Sequence, residues 1–206
     1  WSVGSSPYTH IAPVVSQLGE ATRAELVRTI QTCSSGLFVV GALNDVGETA
    51  AAAELARKLG WPVFADVCAG LRGHPNLPML MDYGDLLLLD DALEDEWCPT
   101  VVIHVGGSVT SKRLQSFIQR VSPRYVRVCP GTDRLDPGHL VSLRISLSTF
   151  ALLTALEGEL VTRAAGTLPE ALAWRNDQCR AALDAWQAEQ ETLSEIAVAR
   201  MIAEQT

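Results

Sequence analysis

Two adjacent cations, Lys112 and Arg113, follow a glycine pair and a Ser/Thr cluster, and these residue types in this order could do chemistry. The apolar run over residues 101–105 leads into Gly106 and Gly107, which predicts a buried strand, a tight turn and the start of a helix. Ligands of an open parallel sheet bind outside the carboxyl ends of its strands. Glycines allow close backbone approach, and the free N–H groups of a helix start favour anions. The pattern therefore predicts an anion contact point at this turn.

A structural interpretation of the same turn stays open. Many βα turns that contain glycine and serine bind nothing, and a Lys-Arg pair in a first helical turn is commonly just solvated. The string is neither a Walker A loop nor a GxGxxG fingerprint. The residue types alone therefore leave two alternatives: an anion-binding site, or a turn that only connects the strand to the helix.

No other self-contained catalytic or metal-binding pattern stands out in the chain. The sequence has no CxxC pair, no histidine spacing typical of a metal site and no GxSxG motif. We interpret the scattered cysteines as small buried hydrophobic residues, and His104, inside an apolar run, as a hydrogen-bonded core or strand-end histidine. The five cysteines are Cys33, Cys68, Cys98, Cys129 and Cys179.

Composition narrows the class of protein. The 206 residues are 48% hydrophobic and 19% charged, which is typical of a globular chain with a sizeable core. A net charge of −8 without a basic cluster argues against nucleic acid as a partner. No apolar stretch approaches the roughly 20 residues of a membrane span.

Strand and helix patterns alternate along the chain, which predicts a doubly wound α/β fold. We expect a mostly parallel sheet of five to six strands with helices on both faces, followed by C-terminal helices. Strands are predicted at residues 37–43, 61–66, 101–105, 125–129 and 143–145. Helices are predicted at residues 21–34, 46–59, 81–93, 111–120, 149–156, 169–188 and 194–204.

Local signals predict where some helices begin and end. Thr22 and Glu25 suggest a capping box for the first helix, and Gly60 suits the left-handed end of the second. Ser148 and Ser194 are candidate N-caps.

The irregular segment 67–78 after the second strand is of a kind that often carries function. The noticeable polar residues here are Arg72 and Asp66, the residue just before the segment. They are either part of a functional site or simply form a local salt bridge with each other.

Five strings resemble the central domain of thiamin-diphosphate-dependent enzymes, over almost the whole chain. They lie at residues 62–66, 71–72, 106–114, 133–137 and 193–200. The string Gly-Ser-x-Thr-x-Lys-Arg is the most specific of them. Within that superfamily the resemblance is to 2-succinyl-5-enolpyruvyl-6-hydroxy-3-cyclohexene-1-carboxylate synthases of menaquinone biosynthesis and to the matching part of plant and algal fusion proteins.

The resemblance implies that residues 1–20 are a linker, residues 21–165 the central domain, and residues 166–206 a helical connection with the first helix of a following domain. It implies a parent transferase, active as a homo-oligomer, that decarboxylates 2-oxoglutarate and transfers a succinyl unit to isochorismate. Thiamin diphosphate and magnesium would be held by the flanking pyrimidine-binding and diphosphate-binding domains. The central domain alone would then be inactive and hold neither cofactor nor metal. The parent would be cytoplasmic in a bacterium and plastidic in a plant or alga.

The resemblance also implies roles for particular residues. Lys112 and Arg113 match a family pair that reaches the active site, where cations would contact the carboxylate substrates; Arg72 is a weaker candidate. Asp66, Arg134 and Asp136 are interpreted as structural. Two alternatives stay open: an FAD- or ADP-binding domain, against which the missing glycine-rich fingerprint after residues 37–43 counts, and a purely structural spacer.

Overall fold

The computed structural model of the chain describes residues 9, 16–72, 74, 77–90, 92–131, 136–160, 168–190 and 193–204. Five strands lie in these ranges: β1 Gly36–Val40, β2 Val63–Ala65, β3 Val101–Val105, β4 Arg124–Val128 and β5 Val141–Ile145. The helices are α1 Glu20–Thr32, α2 Val46–Leu59, α3 Gly84–Leu87, α4 Leu93–Glu96, α5 Lys112–Val121, α6 Thr149–Ala155, α7 Glu170–Ala188 and α8 Glu195–Glu204.

The strands form one sheet in the order β2-β1-β3-β4-β5, and every neighbouring pair is parallel. β1 and β3 are buried along their full length, as expected for continuous apolar runs in the centre of a parallel sheet. The predicted doubly wound α/β fold is confirmed. In this strand order the chain changes direction across the sheet between β1 and β3, so the switch point lies between the ends of these two strands.

Apolar layers cover both faces of the sheet. On one face Ile30 of α1, Leu55 of α2 and Leu152 of α6 pack with Phe38 and Ile103. On the other face Phe117 of α5 and Leu172 of α7 belong to a second cluster, which also contains Leu37, Val39 and Val102. The predicted helices on both faces are therefore confirmed.

Several helix ends follow the predicted signals. Gly60 ends α2 in the left-handed conformation, with φ 61°. The Ser148 hydroxyl accepts a hydrogen bond from the Ala151 N–H at 3.1 Å, and the Ser194 hydroxyl accepts one from the Ala197 N–H at 3.2 Å.

Two predictions about helices are wrong. Helix α1 begins at Glu20, so Thr22 already lies inside it, and its N-cap Gly19 makes no side-chain hydrogen bond. The predicted helix over residues 81–93 is instead the two short helices α3 and α4. The Asp90 carboxylate accepts a hydrogen bond from the Ala92 N–H at 3.0 Å, and this local turn favours a break between them.

Only some of the cysteines are buried, although burial was expected for all five. Cys33 and Cys129 are buried, whereas Cys68 and Cys98 are exposed. In the described part of the chain, no helix is both long enough and apolar enough to cross a membrane.

Candidate functional site

A cleft of about 510 Å³ opens at the carboxyl edge of the sheet, between the segment after β2, helix α3 and the turn after β3. It brings together all three candidate cations of the sequence analysis, Arg72, Lys112 and Arg113. Among the described residues the lining is Phe64, Asp66, Arg72, Asp85, Thr110, Ser111, Lys112 and Arg113.

Asp66 holds the turn in place. Its Oδ2 accepts hydrogen bonds from the Thr110 N–H at 2.7 Å and the Thr110 hydroxyl at 2.8 Å, and its Oδ1 accepts one from the Cys68 N–H at 3.1 Å. Burial of Asp66 acts to raise its pKa, but the hydrogen bonds from Thr110 and Cys68 outweigh burial and leave the pKa below its ordinary value. The side chain is therefore an ionised structural anchor, in keeping with the structural role expected of it.

Arg72 does not form the local salt bridge considered for Asp66. In the described structure the Asp66 carboxylate binds Thr110 and Cys68, while the Arg72 Nε donates to the Ala65 carbonyl at 3.3 Å. Arg72 affects Asp66 only through its charge, which helps to lower the Asp66 pKa. The salt-bridge alternative is wrong because the carboxylate is already occupied by closer donors.

Ser111 and Asp85 fix the start of helix α5. The Ser111 hydroxyl accepts the Leu114 N–H at 3.0 Å and donates to Asp85 Oδ1 at 2.5 Å. The other Asp85 oxygen forms an ion pair with Arg113. Arg113 is thus a tethered cation whose charge Asp85 partly offsets.

Lys112 differs from Arg113 in having no carboxylate partner among the described residues. It is exposed and is the first residue of α5, where the helix N–H groups add a partial positive charge. The described part of the cleft lining carries three cations, Arg72, Lys112 and Arg113, and two carboxylates, Asp66 and Asp85, so the net charge of these residues is +1. The arrangement can attract and orient a carboxylate.

The glycine turns after β1 and β3 touch at the switch point of the sheet. The Gly107 N–H donates to the Ala42 carbonyl at 2.7 Å. A Cβ on Gly41 would lie 2.1 Å from the Gly107 oxygen, so glycine is required there for the close approach of the two backbones. In many doubly wound sheets a nucleotide binds in this crevice, but here backbone contact closes it.

A buried polar cluster lies under the turn, and sequence analysis identified only part of it. His104 is 1% exposed and hydrogen-bonded, as expected for a core histidine, and its burial together with the Arg127 charge lowers its pKa to about 3. Arg127 is 4% exposed, but no functional role was predicted for it from the sequence. The one feature that could have pointed to it is that a single arginine interrupts the otherwise apolar strand predicted at residues 125–129.

His104, Tyr125 and Arg127 also line a second cleft of about 700 Å³. Asp136 at its rim accepts the Leu140 N–H at 2.9 Å and the Val141 N–H at 3.1 Å, in keeping with the structural role expected of it. Arg134 lies outside the described residues.

The described residues offer no group of three or more His, Cys, Asp or Glu side chains that could hold a metal ion. No chemical step is assigned to a metal or a cofactor on this chain.

Comparison with known proteins identifies the class. A family model described as "Middle domain of thiamine pyrophosphate" matches residues 1–206. The chain therefore belongs to the middle-domain family of thiamine pyrophosphate enzymes, thiamine pyrophosphate being another name for thiamin diphosphate.

Particular relatives are similar along most of the chain. The 2-succinyl-5-enolpyruvyl-6-hydroxy-3-cyclohexene-1-carboxylate synthase of Salinibacter ruber is 32% identical over 100% of this chain and 35% of its own length. The synthase of the same name from Rubrobacter xylanophilus is 34% identical over 97% of this chain and 35% of its own length. The chloroplastic protein PHYLLO of Arabidopsis thaliana is 31% identical over 70% of this chain and 9% of its own length. The chain thus spans about a third of the two synthases.

A solved structure of a thiamin diphosphate-dependent enzyme from Mycobacterium smegmatis is also similar. It is 16% identical, with a TM-score of 0.45, over 78% of this chain and 32% of the other.

Proposed function

We propose that this chain is the central domain of a 2-succinyl-5-enolpyruvyl-6-hydroxy-3-cyclohexene-1-carboxylate synthase. The parent enzyme decarboxylates 2-oxoglutarate and transfers the succinyl unit to isochorismate. Thiamin diphosphate with Mg²⁺, bound by flanking domains, supplies the carbanion chemistry. The names of the Salinibacter and Rubrobacter relatives and their similarity over nearly the whole chain support this assignment.

The contribution of this chain is cationic contact with carboxylate substrates. The observation that carries the proposal is Lys112: an exposed ammonium without a carboxylate partner in the described structure, at a helix start and on the rim of a cleft of net charge +1. Arg113 and Arg72 are second and third contacts. Because both substrates carry carboxylates, such cations orient them and stabilise negative charge that develops during reaction.

The domain assignment follows from the same proposal. Residues 1–20 are the linker from a preceding domain, residues 21–165 the central domain, and residues 166–206 the connection to a following domain. The 35% coverage of the synthases supports the presence of flanking domains in the parent. The cofactor sites and the homo-oligomer contacts are assigned to those domains, so the chain alone is inactive.

Calorimetric titration of this chain, paired with an assay of the parent enzyme, tests the proposal. The chain is titrated separately with thiamin diphosphate plus Mg²⁺, FAD, ADP and 2-oxoglutarate. We expect no cofactor binding and at most weak carboxylate binding. In the same experiment the parent, supplied with both cofactors and both substrates, consumes 2-oxoglutarate only when isochorismate is converted.

Other results would contradict the proposal. Tight binding of FAD or ADP to the chain would make it a nucleotide-binding domain, although the closed crevice between Gly41 and Gly107 argues against that. A parent enzyme that does not use 2-oxoglutarate would remove the synthase assignment. A parent with full activity after loss of all three cations would leave the chain a structural spacer.

A further inference from the structure

The glycine pair after β3 is held from beneath by buried side chains. Backbone carbonyls pair with the two N–H groups: Gly106 donates to Val128 at 3.1 Å and Gly107 donates to Ala42 at 2.7 Å. Side chains pair with the two carbonyls: Arg127 Nη2 donates to the Gly106 oxygen at 3.3 Å, and His104 Nε2 donates to the Gly107 oxygen at 3.0 Å. All four polar backbone groups of the pair are therefore satisfied, which fixes the orientation of both peptides.

The hydrogen bonds define the protonation of His104. A carbonyl oxygen can only accept, so Nε2 carries the proton. Nδ1 accepts a hydrogen bond from the Tyr125 hydroxyl at 2.6 Å, and Arg127 Nη1 lies against the ring, 2.6 Å from Nδ1 and 2.9 Å from Nε2. The imidazole beside this cation is neutral, with Nε2 directed at the Gly107 carbonyl and Nδ1 at the Tyr125 hydroxyl.

Arg127 is present in this cluster without a counter-ion. It is 4% exposed and forms no ion pair with any described carboxylate, and its Nε has no hydrogen-bond partner. Burying an unpaired guanidinium is costly, and an apolar residue would fill a strand interior at lower cost. A role in orienting the His104 ring and the Gly106 carbonyl would explain why a buried arginine occupies this position.

Only a short segment separates the held glycines from the candidate substrate contact. Asp66 fixes Thr110, and the Ser111 hydroxyl caps α5, so Ser108 and Val109 are the residues between the two anchored points. The path of the chain into α5, and with it the position of Lys112, is therefore set jointly by the held Gly107 peptide and by these two anchors.

We propose that His104, oriented by Arg127, is a positioning residue for Lys112: its imidazole holds the Gly107 carbonyl and, together with the anchors at Thr110 and Ser111, places the start of α5 at the cleft. This proposal rests on the proposed function, because the value of placing Lys112 depends on the carboxylate substrates.

The test compares two replacements of His104 in the parent enzyme. The His104→Phe variant keeps a planar ring but removes both nitrogens, whereas His104→Gln can still donate to the Gly107 carbonyl and accept from Arg127. The readouts are kcat and KM for 2-oxoglutarate and isochorismate, and backbone amide hydrogen exchange over residues 106–116. Leu26→Val, in the α1 core away from the turn, controls for a general loss of stability.

We expect kcat/KM of His104→Phe to fall about tenfold, the factor that corresponds to one lost hydrogen bond. Exchange over residues 106–116 should rise about tenfold in the same variant. His104→Gln should stay within about threefold of wild type in both readouts, and Leu26→Val should change neither. If His104→Phe does not fold, Arg127→Lys takes its place, because it keeps the charge but cannot bind Gly106 and His104 together.

Several results would overturn the positioning role. Unchanged kinetics and unchanged exchange in His104→Phe would do so. A His104→Gln variant as impaired as His104→Phe would do so too, since restoring the hydrogen-bond donor would then not restore function. A wild-type parent without the expected reaction would contradict the proposed function instead. The exchange data would still decide whether His104 holds the turn.

Discussion

Lys112 and Arg113 are adjacent in sequence but differ in their surroundings. Asp85 tethers Arg113 and offsets part of its charge, while Lys112 has no such partner in the described structure. An exposed ion pair contributes little free energy, so Arg113 can exchange Asp85 for a substrate carboxylate at small cost. We therefore expect Lys112 to be the stronger contact and Arg113 a contact released from Asp85 when substrate binds.

His104 should make the stability of this chain depend on pH. The folded pKa of about 3 lies below the ordinary value of 6.5, so between these values the unfolded chain binds a proton that the folded chain excludes. Stability is therefore full above pH 6.5 and falls as the pH is lowered. From pH 7 to pH 5 we expect a loss of about 2 kcal/mol in the free energy of unfolding, measured by urea titration.

A control variant separates this effect from other groups near His104. The groups that face it are Tyr125, Arg127 and, more remotely, Asp66. The Tyr125 pKa is raised by burial, and the Asp66 pKa lies below its ordinary value of 3.8. Neither group therefore changes protonation between pH 5 and pH 7, and we assign the change in stability over this range to His104. His104→Gln should remove most of the pH dependence in that window; an unchanged slope would contradict this assignment.

Replacing Asp66 should destabilise the chain strongly. Asp66→Ala leaves the Thr110 and Cys68 N–H groups without their acceptor in a buried place, and we expect a loss of about 3 kcal/mol by urea titration. Asp45→Ala is the matched control. Asp45 also accepts a backbone hydrogen bond, from Glu48 at 2.9 Å, but it is an exposed helix cap worth about 1 kcal/mol. Equal losses in the two variants would contradict the anchoring role of Asp66.

Contacts between residues that are close together in the chain could be predicted from the sequence. Contacts between residues on different strands could not. The position of Lys112 and Arg113 at a helix start after a glycine turn could be predicted from neighbouring residues, whereas their contact with substrate stays a prediction. His104 and Arg127 are directly opposite in the β3–β4 register, and that pairing depends on a strand order that local patterns do not encode. The orienting role of Arg127 therefore could not be predicted.

At the scale of elements, the contact between the turns after β1 and β3 depends on Gly41. In Gly41→Ala the new Cβ would lie 2.1 Å from the Gly107 oxygen and 2.8 Å from its carbonyl carbon, so the backbone must shift. We expect a loss of about 3 kcal/mol in the free energy of unfolding, by urea titration. Gly19→Ala has nothing within 4 Å of the added Cβ and alters only the N-cap of α1, so it should cost no more than about 1 kcal/mol. A Gly41→Ala variant as stable as Gly19→Ala would show that the two turns do not touch.

Helix α7 is held by a buried arginine. Arg175 pairs with Asp90 at 3.0 Å and with Glu96 at 2.6 Å, between α7 and the segment that carries α3 and α4. The hydrogen bond from the Ala92 N–H, and then that from Arg175, lower the pKa of Asp90, and the hydrogen bonds from Arg175 lower the pKa of Glu96, so both carboxyls stay charged. Arg175→Met should raise amide hydrogen exchange across residues 170–188 while leaving the sheet protected. Arg180→Met, which removes a more exposed arginine of the same helix, is the control; equal exchange in both variants would contradict the role of Arg175.

Helices and strands could be predicted where the spacing of apolar residues clearly fits one of the two. Helix boundaries and the mixed segment 81–93 were harder to predict. All five strands and most helices follow from apolar runs and helical spacing. Residues 81–93 contain enough leucines to resemble one helix, but the Asp90 turn favours two short ones. The first helix lacks its predicted capping box because Gly19, one residue before Glu20, starts the helix by backbone geometry alone.

At the scale of the whole molecule, the chain supplies a rigid sheet with cations at its carboxyl edge. The two synthase relatives are about three times longer, since this chain covers 35% of each. In the proposed arrangement the central domain presents Lys112, and the other domains present the cofactor. The proposed role of this chain therefore depends on whether Lys112 affects the reaction.

Steady-state kinetics of Lys112→Ala in the parent enzyme is the most direct measurement, with Lys58→Ala as its control. Lys58 is the other lysine of the chain and lies in α2, where it pairs with Glu54 at 3.7 Å. A lost charge-assisted contact should lower kcat/KM for the carboxylate substrates about 10- to 100-fold in Lys112→Ala. Lys58→Ala should stay within about twofold, and the two melting temperatures should agree. Wild-type kcat/KM in a folded Lys112→Ala enzyme would contradict the account.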